Sequence, residues 1–295
     1  MISPDYIQYL ISEKRLSSHS IKSYITDLEQ FSNYLSSVFD TSEIELADSI
    51  QIRSWITDLT SNKIDSKSIS RKLSSLRSYY KFFQKSGLIK TNPMETISSP
   101  KTKKRLPIYI NVSKTDELLK KNNFDEGFEG IRNRLILEVF YSTGIRLAEL
   151  INIKDQDISF YEGQIKVLGK RQKERIIPIS HNLTKNIKEY IEIRDESFEY
   201  NKQFTYLFVT NKGDKMYSKS IYRIVRYHMG RVTTQKKRSP HILRHTFATH
   251  LLNEGAEINA IKELLGHANL SATQIYTHNS IEKLKNIYKQ AHPRA

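Results

Sequence analysis

The sequence predicts a mainly α fold: an N-terminal helical bundle, a basic linker, and a second, mostly helical domain with one small antiparallel β-sheet. Three observations predict it. Apolar residues recur at helical spacing through the first hundred positions, a Pro-bounded basic stretch interrupts the chain near residue 100, and short β-like runs occur only between residues 164 and 179. With 295 residues, 38% hydrophobic and 10% aromatic, the chain has enough apolar mass for two cores.

Ile7, Leu10 and Ile11 suggest a first helix. Ile21, Tyr24, Ile25, Leu28, Phe31 and Leu35 define a second, behind serines at 17, 18 and 20 whose hydroxyls can accept from unpaired first-turn amides. Ile52, Trp55, Ile56 and Leu59 give a third, with Trp55 in the core, and Ile69, Leu73, Leu76, Tyr80 and Phe83 a fourth over 68–86. Around that last stripe lie Arg71, Lys72, Arg77, Lys81 and Lys85. The helix is a candidate for lying against a phosphate backbone, although an ordinary amphipathic surface would look the same. Gly87 and Pro93 close the bundle, which sets the first domain at 1–97. The linker, 98–107, offers Lys103, Lys104 and Arg105 as further phosphate contacts.

The second domain, 108–295, opens with helices over 115–121 and 131–142. Residues 164–169 and 174–179 then flank Lys170-Arg171-Gln172-Lys173, a hairpin with a lysine-rich turn. Helical spacing returns and persists to the end. In the tail, 280–295, Ile281, Leu284, Ile287 and Tyr288 share one face, suited either to docking on a neighbouring protomer or to packing on its own domain.

Charge narrows the function. The net charge is +15, with a pI near 9.6. Residues 1–100 hold 12 Lys and Arg against 11 Asp and Glu, whereas residues 101–295 hold 35 against 21. Clustered cations interleaved with Ser, Thr and Tyr donors favour a nucleic-acid partner over a merely solvated surface. No apolar run nears the roughly 18 residues of a membrane-spanning helix, and the first residues lack the layout of a secretory signal, so the expected location is the cytoplasm. The absence of cysteine excludes disulfides, thiolate nucleophiles and cysteine-held metals.

Three segments carry chemistry. In Ser239-Pro240-His241-Ile242-Leu243-Arg244-His245, Ser at the cap and Pro at the first helical position start a helix, so His241 and Arg244 fall one turn apart at its anion-favouring end. His241 and His245 also have the spacing of a metalloprotease helix, but Ile242 stands where the catalytic glutamate would be. In the second segment Gly266 ends a helix, Ser271 and Gln274 form a capping box, and His267 and Tyr276 lie nine residues apart. In the third, Gly144 stops a helix just before Arg146, whose competing role is an i, i+3 salt bridge to Glu149.

Taken in order, Arg146 in TGIRLAEL, Lys170 in the VLGK hairpin, His241 and Arg244 in HILRHTFATHLL, and His267 and Tyr276 in LLGHANLSATQIY resemble the tyrosine recombinases of the integrase family, most closely the Xer branch. The resemblance covers essentially the whole chain. It implies a core-binding domain followed by a catalytic domain, and a site-specific recombinase that cuts DNA through a 3′-phosphotyrosyl intermediate and rejoins it through a Holliday junction. It casts Tyr276 as nucleophile, Arg146 and Arg244 as grips on the non-bridging oxygens, His267 as a further hydrogen bond to them, His241 as general base and Lys170 as general acid. No metal, cofactor or ATP is implied. Partners are double-stranded DNA and a homo- or hetero-tetramer on two sites, the tail docking on a neighbour, with a DNA translocase as a candidate activator.

One departure is that Arg171, where the family often has glycine, follows Lys170, which makes Lys173 a rival acid. Resolution of chromosome dimers is the expected role. A phage or mobile-element integrase is the alternative within the family, and the absence of an extra N-terminal arm-binding domain favours the former. Outside the family stand a non-catalytic DNA-binding regulator and a metal-dependent nuclease.

Overall fold

A computed structural model describes residues 2–101, 108–169, 174–198, 204–266, 286–288 and 290–294. The chain divides into two compact units, Met1–Arg105 and Leu106–Ala295.

Among its described residues the first unit holds four α-helices: α1 (Pro4–Ser12), α2 (Ser18–Phe39), α3 (Ser49–Ser61) and α4 (Ser66–Lys85). Ser17 caps α2, its hydroxyl accepting from the Ser20 amide at 3.3 Å. Asp48 and Gln51 close a reciprocal capping box on α3. The core is aromatic: Tyr6, Phe31, Trp55, Tyr79 and Tyr80 are buried with Leu28, Leu35, Leu73 and Leu76. In α1 the buried residues are Tyr6, Tyr9 and Leu10, while Ile11 is 49% exposed. The two tyrosines have the larger rings to bury, and they turn the helix away from the face that its isoleucines suggest.

At the centre of this unit a single carboxylate organises α2 and α4. Asp27 is 1% exposed and receives Arg71, Lys72 at 3.2 Å and the Ser75 hydroxyl at 2.9 Å. Lys72 also donates to Gln30 and lies over the Trp55 ring. Of the five α4 cations around the apolar stripe, Lys72 is the one that the structure buries. It is 6% exposed, and its charge is consumed by a buried acid rather than offered to solvent. Arg71 stays half-exposed while paired to Asp27, and Arg77 donates to Ile97 O and Ser99 Oγ, tying α4 to the segment that follows it.

In the second unit α5 (Val112–Leu118), α6 (Phe128–Thr143), α7 (Leu147–Asn152), α8 (His181–Glu196), α9 (Ser218–Val232) and the start of α10 (Pro240–Asn253) pack around one core, and the rest of α10 packs with α11 (Ile258–Leu265) in a second cluster. An antiparallel sheet of β1 (Ile158–Ser159), β2 (Gln164–Leu168) and β3 (Glu174–Pro178) lies in the order β1-β2-β3. Helix α5 begins earlier than its apolar pattern suggests because the Asn111 side chain accepts from the Lys114 amide at 3.0 Å. Helix α6 is buried on nearly every side and forms the axis of the unit. His250 of α10 pins the segment before α5, its two ring nitrogens bonded to Tyr141 Oη at 2.9 Å and Ile110 O at 2.8 Å. The described part of the tail packs on its own unit: Tyr288, Ala291 and His292 are buried beside Phe247 and Leu251. Among the described residues no helix is long and apolar enough to cross a membrane.

Candidate active site

The site is built where two helices stop. Helix α6 ends at Gly144, in the left-handed conformation at φ 58°, with its amide bonded to Phe140 O. A Cβ there would fall 2.5 Å from Phe247 Cδ1 and 2.7 Å from Leu265 Cδ2, so both the backbone angle and the close packing of α10 and α11 require glycine. Helix α11 ends at Gly266, likewise left-handed at φ 64°. The two stops leave carbonyls with no helical partner, and arginines take them.

Arg146 heads α7. Its backbone amide donates to Glu149 Oε2 at 2.8 Å, its Nη1 to Glu149 Oε1 at 2.7 Å and its Nη2 to Gly266 O at 2.7 Å. Arg244, one turn along α10 from the exposed His241, donates to Gly144 O and, at 2.6 Å, to Leu265 O. Arg175 reaches in from β3 and donates from Nε to Leu264 O at 3.1 Å. Three successive carbonyls, Leu264, Leu265 and Gly266, thus each accept from a different arginine at the negative end of α11.

Charge is unbalanced here. Among the described residues Glu149, 5% exposed, is the one carboxylate bonded to any of the three, and it takes Arg146 and Arg175 but not Arg244. Burial pushes its carboxyl up, but hydrogen bonds and charge from Arg175, joined by those of Arg146, outweigh burial and hold it at about 2. Arg244 is pulled down to about 9, first by burial and then by the neighbouring charges of Arg146 and Arg175. It remains cationic at neutral pH. The Arg146 side chain is 32% exposed and Arg244 is half-buried, so the uncompensated positive charge faces a surface where an anion can reach it.

The structure therefore brings Arg146 and Arg244 together on one helix end, with His241 on the same helix as Arg244. Lys170, His267 and Tyr276 lie outside the described residues, as do Lys103, Lys104 and Arg105 of the linker. The salt bridge that competes for Arg146 is present, and it supports the arginine rather than displacing it from the site. Sequence reasoning missed Arg175. The available signal was strand alternation: Arg175 and Ile177, both buried, flank a half-buried Ile176 in β3, and an arginine facing inward requires a buried acid.

Comparison with known proteins shows the family. Residues 111–283 match the phage integrase family and residues 4–87 the phage integrase N-terminal SAM-like domain. The tyrosine recombinase XerC of Pelobacter propionicus is 38% identical over 97% of this chain and 93% of its own length. The protein of that name from Leptospira interrogans is 39% identical over 98% and 92%. Among solved structures, XerH bound to a palindromic difH substrate shares the fold at a TM-score of 0.73 and 21% identity, over 97% of this chain and 84% of that one. The family match spans the whole arginine cluster and the curated relatives align nearly end to end, so the chain belongs to the phage integrase family and is a site-specific tyrosine recombinase, an enzyme that cleaves and rejoins DNA.

Proposed function

We propose that this recombinase resolves chromosome dimers, cutting each strand with Tyr276 at a phosphate seated by Arg146 and Arg244. The observation that carries the reading is the convergence of those two partly exposed guanidiniums at one helix end, where three arginines gather and the carboxylate bonded to Arg146 and Arg175, Glu149, makes no bond to Arg244. Such a site lacks a negative charge, and two guanidinium forks match the non-bridging oxygens of a phosphodiester.

In the proposed reaction the Tyr276 hydroxyl attacks phosphorus as His241 takes its proton. The phosphorus–O5′ bond breaks, Lys170 protonates the leaving oxygen, and the 3′ end stays on the tyrosine as a phosphodiester. His267 and the two arginines stabilise the pentavalent transition state. Because the covalent link keeps the phosphodiester energy, a 5′-hydroxyl from a partner strand reverses the step on a new junction. Lys173 is the alternative acid.

The substrate is duplex DNA, acted on in a tetramer that pairs two sites, and the place of action is the cytoplasm. Structures of XerH on difH, of the Tn1549 transposon integrase on transposon DNA and of a lambda integrase dimer on a core site support duplex DNA as the ligand class. Similarity to XerC proteins over nearly the full length favours chromosome maintenance over transposon or phage integration. Deleting the gene in the host tests this role. Unresolved chromosome dimers should accumulate and disappear on complementation with the unaltered chain but not with Tyr276→Phe. Unchanged dimer resolution would contradict the role.

A further inference from the structure

The three guanidiniums at the end of α11 are not equivalent. Arg146 and Arg244 keep part of their surface open, whereas Arg175 is 4% exposed and has all three guanidinium nitrogens engaged inside the protein. Nη1 and Nη2 bond to Glu149 at 2.7 and 2.8 Å, and Nε to Leu264 O at 3.1 Å. A side chain so enclosed is poorly placed to bind phosphate directly. Its partners, however, are the ones that fix Arg146. Glu149 Oε1 accepts from Arg175 Nη1 and from Arg146 Nη1, each at 2.7 Å. Gly266, whose carbonyl receives Arg146 Nη2, lies so tightly on Arg175 that a Cβ would sit 3.0 Å from Arg175 Cδ. Of the two anchors of the Arg146 guanidinium, Glu149 is thus bonded to Arg175 and Gly266 is packed against it, two residues after the Leu264 carbonyl that Arg175 also binds.

We infer that Arg175 is a positioning residue for strand cleavage, setting through Glu149 and the turn at Leu264–Gly266 where Arg146 presents its guanidinium to the scissile phosphate. The inference rests on the reading of Arg146 as a phosphate ligand. A displacement of about 1 Å in such a group costs on the order of 100-fold in rate, and lysine, a point charge, cannot reproduce a fork that bonds two oxygens and a carbonyl together.

The test uses the full chain and a nicked suicide duplex selected from host-genome fragments by covalent capture on the unaltered enzyme. Arg175→Lys should slow single-turnover cleavage about 100-fold while duplex affinity stays within about threefold. Because Arg175 acts through Arg146, its loss should be non-additive: in an Arg146→Lys background, Arg175→Lys should cost no more than about threefold further. Losses that multiply, cleavage within about threefold of the unaltered enzyme, or affinity falling in step with rate would each overturn the inference. Should Arg175→Lys not fold, Arg175→Gln, which keeps a donor on the strand and leaves Glu149 bonded to Arg146, replaces it in the same cycle and is judged by the same outcomes. If the unaltered chain captures no duplex, the reading of the site fails and takes the inference with it. Capture with an additive cycle sinks the inference alone.

Discussion

Arg175 sets its two terminal nitrogens against the two oxygens of Glu149, at 2.7 and 2.8 Å, with both side chains only 4% exposed. A buried fork-to-fork pair is stabilising only while both charges persist, because removing one leaves the other unpaired in a poor solvent. The Glu149 carboxyl, held at about 2 against its ordinary 4.5, titrates at lower pH in the folded chain than in the unfolded one. Its contribution is therefore fully present above pH 4.5 and is lost as the pH falls from there through about 2. Glu149→Gln should cost about 3–5 kcal/mol at neutral pH and should flatten the decline in stability over that acid window. Denaturant midpoints measured from pH 6 to pH 2 check both. Parallel pH profiles for the variant and the unaltered chain would refute the assignment.

Gly144→Ala places a methyl group into Phe247 and Leu265 at a residue held at φ 58°. A left-handed non-glycine residue and an overpacked core each carry a penalty, and together they should destabilise the chain by about 2–4 kcal/mol. Arg244 bonds to the Gly144 carbonyl, so cleavage should fall as well. A denaturation midpoint shifted by less than about 0.5 kcal/mol would show that α6 and α11 have room to move apart.

Lys72 is predicted to matter for folding and not for DNA. Lys72→Met removes one of the three donors to Asp27 and should destabilise the first unit by about 1–3 kcal/mol. The salt dependence of duplex binding should be unchanged. A lost phosphate contact would instead lower the slope of log affinity against log salt by about one, and seeing that drop would return Lys72 to the interface.

Much of the fold was legible in the sequence because burial is periodic. The stripes of α2, α3 and α4, the hairpin of β2 and β3, and the glycine stops at 144 and 266 each reflect a local rule that a single segment displays. What escaped reading depended on partners far along the chain. Lys72 looked like any cation beside an apolar stripe, since the acid that buries it lies 45 positions earlier. Glu149 looked like a helical neighbour of Arg146 because Arg175, 26 positions later, was not recognised as its second partner. The two-residue β1 is too short to show a period. Arg146 and Arg244 were legible for a different reason: each follows or opens a helix whose cap is written in glycine, serine or proline. Their meeting point, the end of α11, is a product of tertiary packing.

The account stands or falls on Tyr276. Incubating the full chain in EDTA with the nicked suicide duplex, then resolving the products on a denaturing gel and mapping the linked peptide by mass spectrometry, should show one covalent protein–DNA adduct. The account predicts a 3′-phosphotyrosyl bond on Tyr276, lost completely in Tyr276→Phe. An adduct that survives in Tyr276→Phe, or a bond mapped to any other side chain, would contradict it.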